Sequence, residues 1–116
     1  MFNYCIYRTY FNAKHSFNGD ITKIHGHSFT VVTYIGMKDS KEDIPFFKLE
    51  AIISSFIDQY RGRYLNELPE FEGCGNTLET IGDYFYEKLR KQLMKSGMEL
   101  YQLDISENPL CVYQVS

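Results

Sequence analysis

The spacing of apolar residues changes along the chain from a two-residue period to a three-to-four-residue period and back again. Polar and apolar residues alternate over 2–14 and again from about 24 to 37. Alternation places successive side chains on opposite faces of a strand, so both stretches are predicted as β-strands. The Asn-Gly-Asp sequence at 18–20 is typical of a turn and favours pairing of the two strands as a hairpin.

Two helices are predicted in the middle of the chain. The first begins near Pro45, whose fixed φ suits a first helical turn, and its apolar positions recur every three or four residues up to Tyr60. The second begins at Asn76, which forms a capping-box pattern with Glu79, and ends at Gly97 as the C-cap. The intervening segment, 61–75, is predicted to be an irregular connection.

Two further strands close the chain, at 98–107 and 110–115, and a tight turn at Asn108 and Pro109 joins them. The predicted order is therefore ββααββ, an α+β arrangement, without repeats or a linker. We expect one domain over residues 1–116, a length that buries roughly two-thirds of the surface of the unfolded chain.

Composition and charge exclude several classes of protein. A hydrophobic fraction of 44% and an aromatic fraction of 16% rule out a disordered chain. A net charge of -3 gives no broad basic surface, so nucleic acid is not an expected partner. The three cysteines form no CxxC pair, which favours a reducing compartment and a cytoplasmic location. No stretch is long and apolar enough to predict a membrane span.

All three histidines lie between His15 and His27, in the sequence HSFNGDITKIHGH. On a strand, His25 and His27 project from one face, and His15 reaches the same place if the two strands pair. Three imidazoles with an open fourth position are typical of catalytic zinc. Three surface or capping histidines are one alternative. A structural zinc site, with Cys5, Cys74 or Cys111 as fourth ligand, is another.

Other polar residues admit both an ordinary and a functional interpretation. Glu107 at a strand end is usually solvated, but a carboxylate there can also accept two N–H bonds from a planar, guanidine-like edge. Arg61 and Arg63 are more often a solvated helix end than an anion site. Cys74, between two glycines, is a possible exposed nucleophile, although its neighbours do not indicate a lowered pKa.

Four segments, in this order, carry a resemblance to a known family: FNAKHSF, KIHGHSFTV, RYLNELPEFEGCGNTLETI and LDISENPLCVY. They resemble the 6-pyruvoyltetrahydropterin synthase and 6-carboxytetrahydropterin synthase family over nearly the whole chain. The resemblance implies a tunnelling fold, with a four-stranded antiparallel sheet covered on one face by two helices. It also implies a homo-oligomer in which three subunits close a barrel and two trimers stack as a hexamer.

The resemblance further implies a site. His15, His25 and His27 match the zinc ligands of the family, and Glu107 matches the glutamate that anchors the amino-pyrimidine edge of a pterin. Thr77 and Glu79 match the segment that lines the pterin pocket. The implied reaction is polarisation of side-chain oxygens on a dihydropterin by Zn²⁺, with proton transfers that rearrange or eliminate that side chain.

The chain departs from the family at its acid–base residues. Ile21 stands where the family has its catalytic cysteine, Arg61 and Gly62 stand in place of its Asp-His pair, and Pro45 replaces a helix-start aspartate. Neither an isoleucine nor a glycine side chain can transfer a proton.

We call the residues that transfer protons in the reaction the proton relay. Asp20, Lys23 and Cys74 are candidates to replace the missing residues of this relay. Arg61 and Arg63 are candidates for binding a phosphate or carboxylate of the substrate. Three hypotheses remain: a pterin synthase with an altered relay, the same zinc scaffold recruited to a different small molecule, and a catalytically inactive pterin-binding subunit.

Overall fold

The computed structural model describes residues 3–15, 25–39, 42–71 and 77–116. Within these ranges the chain forms four strands and two α-helices in the predicted order. They are β1 (Cys5–His15), β2 (His25–Met37), α1 (Phe46–Asp58), α2 (Leu78–Met94), β3 (Met98–Asn108) and β4 (Cys111–Val115).

The four strands form one antiparallel sheet in the order β1-β2-β3-β4, so that each strand pairs with its neighbour in sequence. β1 and β2 pair along their whole length, from Cys5 opposite Ile35 to His15 opposite His25. The chain at Asn108 to Cys111 turns as predicted, and the Asn108 Oδ1 accepts a hydrogen bond of 2.7 Å from the Leu110 N–H.

One face of the sheet is covered by the helices, and this face carries the alternating apolar residues. Phe29 and Val31 of β2 and Leu103 of β3 are fully buried there. An aromatic cluster connects the layers: Phe11 stacks on Phe29 at 4.9 Å between ring centroids, and Phe85 of α2 lies 5.7 Å from Phe11. The predicted alternation therefore corresponds to the boundary between core and solvent.

The ends of α2 differ from the prediction by one or two residues. The N-cap is Thr77 rather than Asn76, because the Thr77 hydroxyl accepts a 3.2 Å hydrogen bond from the Thr80 N–H. At the other end Lys95 is the C-cap, and Gly97, with a φ of 77°, takes the left-handed conformation two residues later. Asn76 itself lies outside the described residues.

The connection after α1 is more regular than predicted. Short 3-10 turns occupy Leu65–Glu67 and Pro69–Phe71, and the side chains of Leu65 and Phe71 are buried in the core. These two anchors were not recognised as core residues because a single apolar residue in a short turn has no periodicity.

β1 and β4 are the edges of this sheet, and β4 pairs with β3 only from Leu103 onwards. Large apolar side chains are exposed on and beside these edge strands, notably Ile6 (50% exposed) and Leu110 (93% exposed). Among the described residues, no helix has both the length and the apolar character needed to cross a membrane.

Candidate functional site

The register of β1 and β2 brings the histidine positions together. His15 lies directly opposite His25, and His27 lies opposite Ala13 two residues further along the same face of β2. Residues directly opposite in an antiparallel pair are nearest cross-strand neighbours, and positions two apart share a face. The backbone thus confirms the predicted hairpin arrangement of the three positions.

The side chain of His27 lies beside the carboxylate of Glu107. Its Nδ1 is 3.3 Å from Glu107 Oε2, with the two side chains 29% and 25% exposed. The His27 ring also meets the ring of Phe29 edge-on, at 6.2 Å between centroids. A carboxylate and an aromatic ring therefore both contact this imidazole.

Glu107 lies at an irregularity in β3. Ser106 pairs with Val112 and Asn108 pairs with Cys111, so β3 has one extra residue between these pairs, which is Glu107. Such β-bulges redirect a side chain and are frequent beside active sites. The last residue of β3 paired with β2 is Ser106, opposite Thr30, which places Glu107 at the end of the sheet that carries the histidines.

The donor set at these positions suits zinc. Three neutral imidazoles with one position left open form a known catalytic zinc site, and a histidine ligand commonly donates its second N–H to a carboxylate, as His27 and Glu107 are placed to do. The side chains of His15 and His25 lie outside the described part of the structure. Among the described side chains, no group of three or more histidine, cysteine or acidic residues is close enough to hold a metal.

Three residues predicted for the proton relay, Asp20, Lys23 and Cys74, lie outside the described residues. Of the predicted zinc site, substrate anchor and relay, the described side chains therefore bring together only His27 and Glu107.

The segment that follows α1 is fastened to the edge of β1. The Gly62 N–H donates to the Asn12 carbonyl at 2.6 Å, and the Lys14 N–H donates to the Arg63 carbonyl at 2.8 Å. A cleft of about 310 Å³ lies there, lined by Lys14, His27 and Gly62 among others. We call it the histidine cleft. Lys14 was not singled out from the sequence, although it directly precedes His15.

Arg61 is already engaged by the protein. Its Nε lies 2.6 Å from Asp58 Oδ1, and its Nη1 donates to the Tyr10 carbonyl at 2.7 Å. These contacts fix the guanidinium between α1 and β1. Arg63 is exposed, and its carbonyl rather than its side chain provides the contact to β1.

Thr77 and Glu79 lie at the beginning of α2, with Thr77 half-buried and Glu79 exposed. This end of α2 packs closely on the sheet, because a Cβ added at Gly82 would lie 2.9 Å from Ile105, two residues before Glu107. The helix start and Glu107 are therefore at the same end of the molecule. Asp83 fixes this end further by accepting a 2.6 Å hydrogen bond from the Tyr113 hydroxyl.

The face of the sheet away from the helices carries a polar cluster that sequence reasoning missed. Asp104, only 6% exposed, accepts hydrogen bonds from the Tyr34 hydroxyl (2.9 Å) and from Gln102 Nε2 (2.7 Å). The hydrogen bond to Asp104, followed by burial, raises the pKa of Tyr34. The sequence did contain a signal for this cluster, because the three residues occupy even positions of two adjacent strands and so lie on the same face of the sheet.

A second and larger cleft, of about 560 Å³, lies on this uncovered face. We call it the open-face cleft. It extends from Arg8 and Tyr34 past Asp104 to Glu107 at the end of β3. Glu107 therefore borders the open-face cleft and also contacts His27, which lines the histidine cleft.

The family model described as 6-pyruvoyl tetrahydropterin synthase matches residues 4–116. The chain belongs to this family. No curated protein matches the sequence. Among solved structures, 6-pyruvoyl tetrahydropterin synthase from Caenorhabditis elegans is similar at 20% identity and a TM-score of 0.83, over 98% of this chain and 94% of that one.

Two Plasmodium structures of 6-pyruvoyltetrahydropterin synthase have the same fold. The Plasmodium vivax protein, solved as a mutant in which a catalytic glutamate is changed to alanine, is 16% identical with a TM-score of 0.69, over 97% of this chain and 96% of that one. The Plasmodium falciparum protein is also 16% identical, with a TM-score of 0.68 and the same coverage. At these identities the structural likeness establishes the tunnelling fold.

Proposed function

We propose that this family member is a zinc-dependent enzyme that acts on the side chain of a dihydropterin, with an acid–base relay different from that of typical members. The observation that carries the proposal is the contact of 3.3 Å between His27 and Glu107, beside the directly paired positions of His15 and His25. It places one proposed metal ligand against the proposed substrate anchor.

In this proposal His15, His25 and His27 hold the zinc ion. When bound, the ion acts as a Lewis acid towards oxygens of the substrate side chain. The hairpin register supports this assignment because it places the three positions on one face of two paired strands.

The pterin ring is proposed to bind through Glu107 and the start of α2. A carboxylate accepts two parallel N–H bonds from a planar edge, which suits the amino-pyrimidine end of a pterin. Glu107 borders the open-face cleft, whose 560 Å³ is large enough for a compound of this size. Thr77 and Glu79 are proposed to line the pocket from the beginning of α2.

The proton relay is the part of the proposal in which this chain differs from its relatives. Because Ile21 and Gly62 have no titratable group and Arg61 is bound to Asp58 and the Tyr10 carbonyl, other residues must transfer protons. Asp20, Lys23 and Cys74 are our candidates. The Plasmodium vivax relative has a glutamate as a catalytic residue, so carboxylate catalysis in a relative makes Asp20 chemically reasonable.

Incubation of the zinc-loaded protein with 7,8-dihydroneopterin triphosphate tests this proposal directly. We expect modification or loss of the pterin side chain, detected by mass spectrometry, and a large decrease in the His27→Ala variant. Glu99→Ala is a suitable control, because Glu99 lies at the other end of the same strand, opposite Gly36. Absence of turnover with this compound and with its dephosphorylated forms would contradict the proposed reaction.

The second candidate function is the use of the same zinc scaffold on another small molecule, or pterin binding without turnover. Arg61 favours it, because its contacts give that position a structural role instead of the family's acid–base role. Each general acid or base contributes about 10² to 10⁴ in rate, so their loss is consistent with a changed reaction. Mass spectrometry of ligands that co-purify with the protein distinguishes a pterin from another compound.

We further propose that the chain forms a homo-oligomer through its sheet edges. β1 and β4 are both edge strands, and exposed edges with apolar side chains are commonly covered by a second chain. In a trimer or hexamer, β1 and β4 would each pair with a strand of a neighbouring chain.

A further inference from the structure

The carboxylate of Glu107 lies 3.3 Å from Nδ1 of His27, and this contact has a consequence beyond substrate anchoring. We infer that Glu107 is a positioning residue for His27, whose side chain it holds in the orientation that binds the metal. The inference rests on the proposed function, because it takes His27 to be a zinc ligand.

The geometry of the contact leaves one ring nitrogen available. Glu107 Oε2 lies 3.3 Å from Nδ1 of His27, so Nε2 is the nitrogen that can be offered to an ion. In an imidazole the hydrogen bond made by one nitrogen determines which tautomer is present and which nitrogen can coordinate. A carboxylate at Nδ1 therefore selects the tautomer with a metal-binding Nε2.

The backbone places Glu107 next to His27. The extra residue that forms the bulge in β3 is Glu107 itself, between the pairs that Ser106 and Asn108 make with β4. Ser106 pairs with Thr30 of β2, so the next position of β3 faces Phe29 and shares a face with His27. The register of β2 and β3 thus brings Glu107 beside the imidazole.

The surroundings of His27 limit its movement on another side. The Phe29 ring meets the imidazole edge-on, and Phe29 itself is fully buried and stacked on Phe11. One side of the imidazole is held by a fixed aromatic ring and the Nδ1 edge by a carboxylate. Both contacts restrict ring rotation, which lowers the entropy cost of binding a metal.

Positioning His27 does not prevent Glu107 from binding a substrate. An ionised carboxylate has about four lone-pair positions on its two oxygens, and the contact with His27 uses one of them. Glu107 also borders the open-face cleft. One carboxylate therefore connects the metal site and the substrate cleft, so we expect its removal to weaken both zinc and pterin binding.

Zinc affinity measured by chelator competition tests this inference without any enzyme assay. We expect the Glu107→Ala variant to bind zinc about 10- to 100-fold more weakly than the unmodified protein, as is typical when a carboxylate partner of a metal-binding histidine is lost. Glu107→Gln should be intermediate, because its amide oxygen can still accept a hydrogen bond from Nδ1. Glu99→Ala, which removes a carboxylate from the same strand, should bind zinc like the unmodified protein.

Two further measurements separate positioning from folding and from substrate anchoring. Thermal unfolding of the metal-free Glu107→Ala protein should match that of the unmodified protein, because this carboxylate is partly exposed. The visible absorption bands of the cobalt-substituted protein should shift in Glu107→Ala and stay unchanged in Glu99→Ala.

The possible outcomes distinguish this inference from the proposed function. If the unmodified protein binds zinc and Glu107→Ala binds it equally well with an unchanged cobalt spectrum, Glu107 is a substrate anchor only and the inference is wrong. If the unmodified protein binds no zinc, the proposed function fails and the inference fails with it. Weaker zinc binding with a shifted spectrum supports both.

Discussion

At the scale of single residues, the polar contacts of this protein connect strands that are distant in sequence. Asp104 binds Tyr34 across the sheet, and Glu107 contacts His27 from a third strand. A contact outside the sheet involves Tyr60, just after α1, which is only 2% exposed and donates a 3.3 Å hydrogen bond to Glu70 Oε2. We expect these contacts to have measurable consequences, for stability or, in the proposed site, for metal binding.

The Tyr60→Phe variant should show a weaker dependence of stability on pH in the alkaline range. Burial, followed by hydrogen bonding to Tyr84, raises the pKa of Tyr60 above its ordinary value of 10.0. The native state then keeps the phenol proton where the unfolded chain loses it, so stability is present below pH 10 and falls as the pH rises further. Urea unfolding at neutral and alkaline pH measures this, and parallel pH curves for the two proteins would contradict it.

At the scale of elements, the helices are held by caps and by close packing against the sheet. Thr77 caps α2 through its hydroxyl, and Gly82 allows this helix to approach Ile105 and Tyr113. Both features lie at the end of α2 near the candidate site. Substitutions of Thr77 and Gly82 should therefore show how much the cap and the close packing stabilise this end of the protein.

Thr77→Ala should destabilise the protein by about 1 kcal/mol, because the Thr80 N–H loses its acceptor at the helix end. Thr77→Ser keeps a hydroxyl and should remain close to the original stability. Chemical denaturation of both variants measures the difference. Equal stability of the alanine and serine variants would show that the cap contributes nothing.

Gly82→Ala should lower the free energy of unfolding by about 1–2 kcal/mol, although alanine is the better helix former. The added Cβ would lie 2.8 Å from the Tyr113 ring and 2.9 Å from Ile105, both in the packed interface of α2 with the sheet. Ser55→Ala, on the exposed side of α1, is the control and should change stability by less than about 0.5 kcal/mol. A stabilised Gly82→Ala variant would show that the interface can adjust.

At the scale of the whole molecule, the two edges of the sheet determine what a single chain leaves uncovered. β1 offers an edge mainly over its first half, because Asn12 and Lys14 already bind the segment after α1, and β4 is only 5 residues long. Ile6 and Val112 place apolar side chains on these strands, 50% and 47% exposed. A closed ring of chains would pair both edges and cover these side chains.

We predict that light scattering will give a mass that is a multiple of the 13.7 kDa chain. Ile6→Lys and Val112→Lys should each reduce association, because a lysine on an edge strand opposes pairing with another strand. Met94→Lys is the matched control, since Met94 is similarly exposed at 48% but lies on α2. A single-chain mass for the unmodified protein at micromolar concentration would contradict the prediction.

Much of the fold was available from the sequence. The alternation in β1 and β2 predicted the buried face, and the spacing in α2 predicted its core residues, because burial of apolar surface is the dominant constraint on such patterns. The cap of α2 and the 3-10 turns at Leu65–Glu67 and Pro69–Phe71 were predicted less well. Short elements depend on one or two side chains and have no period to detect.

The sequence by itself determined the order of the elements, the histidine positions and the family, since all three depend on residue types and their spacing along the chain. Only the tertiary structure decided that Glu107 meets His27, that Arg61 is engaged by Asp58 and Tyr10, and that Asp104 is buried with Tyr34. The physical reason is that the contacts between β2 and β3 depend on strand register, and the contact of Arg61 with β1 depends on how α1 packs against the sheet; both are set by segments distant in sequence.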